Sequence, residues 1–160
     1  VVGGKIQNKL RKNLTIKYFV TDEINLIIST IHPFAQKKKI NKEDLYYLNF
    51  ITLNSNSTIQ KFIDNMLIHN QIETKKLKII MQLNSIEGIK TAVSLGLGAA
   101  FISSSAIEKE LKLKTIEILK IKDIRITRSL SIISNSKYYK SQAFKFFYNE
   151  LFGLKNKLNN

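Results

Sequence analysis

From residue 23 onward, short apolar runs alternate with segments whose apolar positions recur every three or four residues. EINLIIST (23–30) is β-branched and apolar, which predicts a strand. His32-Pro33 ends it, because proline pushes the preceding residue out of helical space and donates no backbone hydrogen bond. NKEDLYYL (41–48) predicts a short helix capped by Asn41, with Glu43 and Asp44 at the positive end of its dipole. FITL (50–53) predicts a buried strand. Ile59, Phe62, Ile63, Met66 and Leu67 then follow the i, i+3, i+4, i+7, i+8 spacing of a core-facing helix. KLKIIMQL (76–83) predicts another strand.

NSIEGIKTAVSLGLGAAFI (84–102) joins a helical pattern to an apolar run. Asn84 is the expected cap, and Glu87 three residues on completes a capping-box pair. Ile86, Ile89 and Val93 form the expected inner stripe. Gly96 suits the left-handed residue that closes a helix. GAAFI (98–102) reads as a short buried strand, with Gly98 allowing two backbones to approach. SSSAIEKEL (103–111) caps and forms a third helix, and TIEILKI (115–121) and RSLSIIS (128–134) read as strands. The final segment, SQAFKFFYNELFGLKNKL, puts Phe144, Phe147, Leu151 and Leu158 on one side of a docked terminal helix. Strand, helix, strand, helix, strand at this spacing predicts an α/β fold of βαβ units with a largely parallel sheet.

Composition narrows the function more than the fold. At 160 residues and 44% hydrophobic content there is enough chain for one domain or two small lobes with a true core. No apolar run approaches the roughly 18 residues of a membrane span. The first residues, VVGGKIQNKLRKN, show no secretion signal. They open inside what reads as a strand, so the chain is expected to be a C-terminal piece of a longer protein. With no cysteine there is no disulfide or thiolate metal site. His32 and His69 alone do not make a zinc site. The net charge of +14 suggests nucleic acid, but arginine supplies only Arg11, Arg125 and Arg128 of the 26 cationic residues, and direct base reading leans on arginine. Lys, Ile and Asn, which use AT-rich codons, far outnumber Gly, Ala, Pro and Arg. An AT-rich genome therefore accounts for the lysines, which spread along the chain as a solvated surface. Their tightest cluster, Lys37-Lys38-Lys39, is expected in a polar loop.

In a parallel sheet, ligands collect beyond the carboxyl ends of the strands, where the next helices begin. Two junctions have this character: FITL-NSNST and IIMQL-NSIEG. Each places small hydroxyl and amide side chains, with backbone N–H groups that lack helical acceptors, at a helix's positive end. That chemistry suits a carboxylate or phosphate, although Ser, Thr and Asn are also ordinary caps. Catalytic patterns are missing: there is no nucleophile elbow around Ser103, Ser104 and Ser105, no phosphate-binding glycine loop and no acidic metal cluster. The expectation is a binding module rather than an enzyme, with no metal and no cofactor.

EINLIISTIHPFA, FITLNSNSTIQKFID and QLNSIEGIKTAVSLGLGAAFISSSAIEKEL together resemble the effector-binding domain of LysR-type transcriptional regulators, most closely the branch that regulates Rubisco operons, including plastid-encoded members. The resemblance covers essentially the whole chain. It implies a two-lobed, type 2 periplasmic-binding-protein-like α/β fold with the first lobe incomplete. Residues 1–30 would be the remainder of lobe I, 31–130 lobe II, and 131–160 the return to lobe I with the terminal helix. The N-terminal winged helix-turn-helix would be absent from this chain. The implied function is the effector-sensing portion of a DNA-binding regulator of Rubisco genes. Its partners would be promoter DNA, through that missing domain, and a second copy or three further copies of itself. A small anionic metabolite, such as a sugar phosphate or a reduced nicotinamide nucleotide, would occupy an interlobe cleft. No membrane is involved, and the implied location is the plastid stroma or a bacterial cytoplasm. By position, the effector-binding residues would be Gly3, Gly4, Asn54, Ser55, Ser57, Thr58, Asn84, Ser85 and Ile86. The competing reading is a solute-binding protein of a transporter, which would share the fold but carry a secretion signal.

Overall fold

The structure, a computed structural model, describes residues 2–3, 14–135 and 141–158. The chain divides into two compact units, Glu23–Thr127 and residues 1–22 with 128–160. Its strands are β1 (Val2–Gly3), β2 (Leu14–Ser29), β3 (Lys39–Ile40), β4 (Asn49–Leu53), β5 (Lys78–Leu83), β6 (Ala100–Ser103), β7 (Ile116–Ile118), β8 (Lys120–Ile121) and β9 (Ile126–Asn135). Its α-helices are α1 (Thr58–His69), α2 (Ile86–Ser94), α3 (Glu108–Lys112) and α4 (Gln142–Leu158). The 41–48 segment forms a 3-10 helix over Lys42–Tyr47, in which the Asp44 carboxylate accepts from the Asn41 N–H at 2.8 Å.

In the larger unit, β4 and the C-terminal half of β2 read as continuous apolar runs because they are buried on both faces, whereas β5 leaves Ile79 and Ile80 half exposed. Phe50 of β4 joins a cluster with Ile63 and Leu67 of α1, and Ile51 and Leu53 join a second cluster with Ile89 and Val93 of α2. Strand side chains alternate, so α1 and α2 cover opposite faces of β4. The pattern repeats in β2, where Ile24, Leu26 and Ile28 enter the first cluster and Ile27 the second. Buried Ile63 and Leu67 each contribute about 2 kcal/mol by leaving water, against about 1 kcal/mol for a cap. Packing therefore decides where α1 lies.

Strand pairing is mixed rather than largely parallel, with one five-stranded sheet and two separate two-stranded ones. β4 pairs with β5 and β3 with β8 in parallel, and Phe50 bridges Ala99 in parallel. By contrast, β2 pairs antiparallel with both β6 and β7. Parallel pairing needs a crossover of a dozen or more residues. The β4–α1–β5 stretch has one, but β2 is a long strand laid against segments that run the other way. TIEILKI accordingly splits into β7 and β8, because Ile118 pairs with Ile27 on β2 while Lys120 pairs with Lys39 on β3. That pairing also places Lys39 in a strand instead of the expected loop.

Gly98 behaves as expected. A side chain there would put its Cβ 2.7 Å from the Asn49 carbonyl oxygen. Ala99 and β4 bond directly on either side of that contact, through Ala99 N–H to Asn49 O (2.8 Å) and Ile51 N–H to Ala99 O (2.9 Å). Gly96 has φ +79°, the left-handed value that ends α2 and returns the chain to the core.

In the smaller unit, β1 pairs antiparallel with β9, Gly3 opposite Leu130. Arg128 donates to Asp22 at 2.7 Å. In α4 the less exposed side chains are Phe144, Tyr148, Leu151 and Phe152, with Phe152 edge-on to Phe19 at 6.2 Å. Phe147 is 62% exposed, contrary to expectation. The contacts follow the 144–148–152 spacing, and Phe147 sits off that line. The expectation for Leu158 falls outside the described side chains. No helix among the described residues is long and apolar enough to cross a membrane.

Candidate functional site

β4 and β5 end side by side. Their register pairs Thr52 with Gln82 and Leu53 with Leu83, and the Asn54 N–H donates to the Leu83 carbonyl at 3.1 Å. Two helices leave from this shared end, α1 after residues 54–57 and α2 after residues 84–85, toward opposite faces of the pair. Successive helices diverging from neighbouring parallel strands form the topological switch at which α/β sheets open a crevice. Of the nine expected contact residues, the structure thus brings Asn54, Ser55, Ser57, Thr58, Asn84, Ser85 and Ile86 to one end of one strand pair. All of them are exposed except Ser57, which is half-buried. Gly3 belongs to the other unit, in β1. Gly4 lies outside the described residues.

The two helix starts are built differently. At α1, the Asn54 carboxamide accepts from the Asn56 N–H (3.0 Å) and the Asn54 carbonyl from the Ser57 N–H (2.9 Å), which folds the turn. Ser57 occupies the cap position, but its hydroxyl makes no cap hydrogen bond. Thr58 is the first helical residue. The N–H groups of the first turn therefore have no side-chain cap from Ser57 and no helical acceptor. At α2 the cap is Ser85, whose hydroxyl accepts from the Gly88 N–H at 3.3 Å. This corrects two expectations. Asn84 precedes the cap instead of being it, so Glu87 falls one position short of a capping box. Ile86, at 37% exposure, is not part of the inner stripe, which runs through Ile89 and Val93. A helix that begins one residue later turns its first residue outward.

Side chains that sequence reasoning passed over hold both starts in place. Gln60 is buried in α1; its carbonyl oxygen accepts from the Leu53 N–H (3.1 Å) and its amide donates to Asp64 (2.8 Å). It ties the first turn of α1 to the last residue of β4. The sequence signal was available: Gln60 is in phase with Ile63 and Leu67, so a polar residue stands in the core stripe. Lys90 of α2 is also buried. Its ammonium meets Glu87 (2.8 Å), Glu110 (3.1 Å) and the Ala106 carbonyl (2.9 Å), which fastens α2 to α3 and the turn before it. The hydrogen bond to Glu87 raises the Lys90 ammonium above its ordinary value; burial opposes this, and the bond and charge of Glu110 add to it. Burial pushes the Glu110 carboxyl up, but a backbone hydrogen bond and Lys90 overcome that push and hold it below the usual carboxylate range. Lys90 follows Ile89 in a helix whose neighbouring turns are apolar, and its charge gave no sign of its burial. In β4, one residue before the shared end, the Thr52 hydroxyl oxygen is buried and has no partner among the described residues.

The chemistry at this strand-pair end suits an anion. Backbone N–H groups and hydroxyls stand at the positive ends of two helices, of twelve and nine residues, that start from neighbouring strands. Among the described residues there is no group of three metal-ligating side chains. His32 serves structure: its Nδ1 accepts from the Phe34 N–H at 3.0 Å, and burial holds its pKa below the ordinary histidine value.

Comparison with known proteins identifies the fold and the family. The chain is 72% identical over 160 residues to a protein of Phaeodactylum tricornutum named "Probable RuBisCO transcriptional regulator", and 69% identical over 158 residues to one of the same name from Thalassiosira pseudonana. These matches cover 100% and 98% of this chain but 52% of each relative, so the chain spans about half the length of the curated relatives it matches. Among solved structures, the regulatory domain of CcmR from Synechocystis, in complex with 2-PG, superposes with a TM-score of 0.80 at 21% identity, over 96% of this chain and 71% of that one. The shared fold is the mixed α/β, type 2 periplasmic-binding-protein-like fold of LysR effector-binding domains. The model of the LysR substrate binding domain matches residues 3–153, and the chain belongs to that family.

Proposed function

We propose that this chain is the effector-sensing portion of a DNA-binding transcriptional regulator of Rubisco genes, and that a small anionic metabolite binds at the shared end of β4 and β5. The observation that carries the site is the Leu53–Leu83 register, which sets two helix starts beside each other with their N–H groups at one strand-pair end. A small-molecule ligand is consistent with the company the fold keeps: the CcmR regulatory domain is in complex with 2-PG. The names of the relatives support the Rubisco reading. In this proposal Asn54, Ser55, Ser57, Thr58, Asn84, Ser85 and Ile86 line the site. Residues 31–130 form the second lobe, residues 1–30 and 131–160 belong to the first, and promoter DNA is held by a domain outside this chain. The working protein is a homodimer or homotetramer without enzymatic activity, located in the plastid stroma or, in a bacterial host, the cytoplasm.

The test is a titration of the full-length regulator on its promoter with phosphorylated metabolites, read by DNA-binding affinity. Replacing Ser85 and Thr58 together by alanine is expected to shift the effector midpoint upward by about tenfold, one or two lost charge-assisted hydrogen bonds, while DNA binding without effector stays unchanged. An unshifted midpoint in a folded double variant would mean that these residues are caps and that the effector binds elsewhere.

A further inference from the structure

A cavity of about 600 Å³ lies wholly within the larger unit and shares no lining residue with the shared end of β4 and β5. Its volume falls within the roughly 300–1,000 Å³ typical of small-molecule sites. The apolar lining comes from Ile24 and Leu26 of β2, Phe101 of β6, Ile121 of β8 and Ile126 of β9. The polar lining divides into two sets. The first set is satisfied internally. Both Glu23 carboxylate oxygens accept from Arg125, at 3.1 and 3.0 Å; Asn25 donates to the Ser104 hydroxyl at 2.7 Å; and Ser104 donates to the Glu23 carbonyl at 3.1 Å.

The second set is Lys39 and Lys120. They are register partners in the parallel β3–β8 pair, both are exposed, and both line the cavity. Among the described residues neither ammonium makes an ion pair or a side-chain hydrogen bond. Like charges set opposite each other on paired strands are destabilising. The Glu23 carboxylate, the acidic group of this lining, is already engaged by Arg125. Two register-paired cations thus line a cavity with an aliphatic and aromatic floor, and among the described residues no carboxylate pairs with either.

We infer that this cavity binds an amphipathic anion, with an apolar chain or ring on Leu26, Phe101 and Ile121 and a carboxylate held between Lys39 and Lys120. The ligand relieves the lysine–lysine repulsion and removes its own apolar surface from water, so neither half alone binds well. The site stands independently of the strand-end site, with which it shares no lining residue.

The experiment is calorimetric titration of the chain with decanoate, with decanol and acetate as the two half-ligands. Decanoate is expected to bind saturably at one site, with decanol and acetate each weaker by about tenfold or more. Replacing Lys39 and Lys120 together by glutamine changes only exposed side chains. It is expected to weaken decanoate by about tenfold and leave decanol unchanged. Ile124→Trp, at a partly buried residue that lines the cavity and packs on the same cluster as its floor, is expected to abolish binding of both. Decanoate binding that is unaffected by the double lysine substitution overturns the proposal, as does acetate or inorganic phosphate binding as tightly as decanoate. Binding of decanoate that never saturates overturns it as well.

Discussion

The starts of α1 and α2 lie side by side at the end of one strand pair, yet they are secured by opposite means. α1 is tied to its strand by a neutral amide, Gln60, bonded to the Leu53 N–H. α2 is tied to the next helix by a charged group, Lys90, shared among Glu87, Glu110 and the Ala106 carbonyl. Both devices are buried polar groups, and both are satisfied. A satisfied neutral amide is comparatively insensitive to pH, and replacing it leaves a neutral N–H without its acceptor. A buried charge is indispensable to its partner, because removing one half strands the other. Two helix ends with similar exposed chemistry should therefore differ sharply in how they fail.

The largest effect is expected at Lys90. Lys90→Met leaves the Glu110 carboxylate largely buried, one oxygen of which already lacks a partner among the described residues. The loss should be about 3 kcal/mol in urea unfolding at neutral pH. Glu87→Ala, which removes an exposed partner, should cost under about 1 kcal/mol. The pH dependence sharpens the contrast. Glu110 has its carboxyl held below the ordinary value of 4.5, so its contribution is present above that value and disappears as pH falls through the folded value. Lys90, raised above 10.5, contributes below that value and loses its contribution as pH rises through the folded one. Without Lys90, only the backbone hydrogen bond and Lys109 oppose the upward push of burial, so the Glu110 anion is held less well and the variant improves relative to the wild type as acid protonates the carboxyl. The stability gap between the two proteins should narrow below about pH 4.5. A gap that is constant with pH would show that Lys90 stabilises through the packing of its stem alone.

Gly98→Ala comes next. The added methyl would stand 2.7 Å from a backbone oxygen of β4, which no side-chain rotation can relieve. The expected loss is about 2 kcal/mol, typical of overpacking, measured by thermal or urea unfolding. This contact also shows what the sequence made legible. Gly96 and Gly98 announced a helix stop and a close approach because only glycine fits those backbone positions. The apolar spacing of residues 59–67 located α1 for the same local reason. Strand direction was not legible: an apolar run such as EINLIIST looks the same whether its neighbours run with it or against it, and β2 has antiparallel ones. The shared end of β4 and β5 was legible as chemistry, in its serines and asparagines. Lys90 was not, and Gln60 showed only as a polar residue in the core stripe, because their roles depend on Glu110 and on a strand N–H that local pattern does not bring near.

Gln60→Leu tests the neutral tie. The substitution keeps volume and adds apolar surface but leaves the buried Leu53 N–H without its acceptor. A loss of about 1–2 kcal/mol is expected, smaller than for Lys90 and without the acid-dependent recovery. Hydrogen exchange at the Leu53 amide should accelerate by more than global stability explains. If exchange there keeps pace with the rest of β4, the strand end is held by packing and the amide is incidental.

The smallest effects belong to the caps, where the two starts can be compared most directly. Ser85 accepts a hydrogen bond from Gly88, so Ser85→Ala should cost about 1 kcal/mol. Ser57 stands at the same position of α1 but makes no such bond, so Ser57→Ala should cost only a few tenths of a kcal/mol. If Ser57 costs as much as Ser85, its hydroxyl caps α1 in solution and is not available to an anion. If it costs little, a hydroxyl at the positive end of a twelve-residue helix has been left without a structural task. An anion arriving there then displaces no protein hydrogen bond at α1, whereas at α2 it must compete with Gly88 for its share of the first turn. The asymmetry predicts that ligand contacts are stronger at the α1 side of the strand pair, which the effector midpoints of the two single alanine variants would reveal in the order Ser57 above Ser85, opposite to their order in stability.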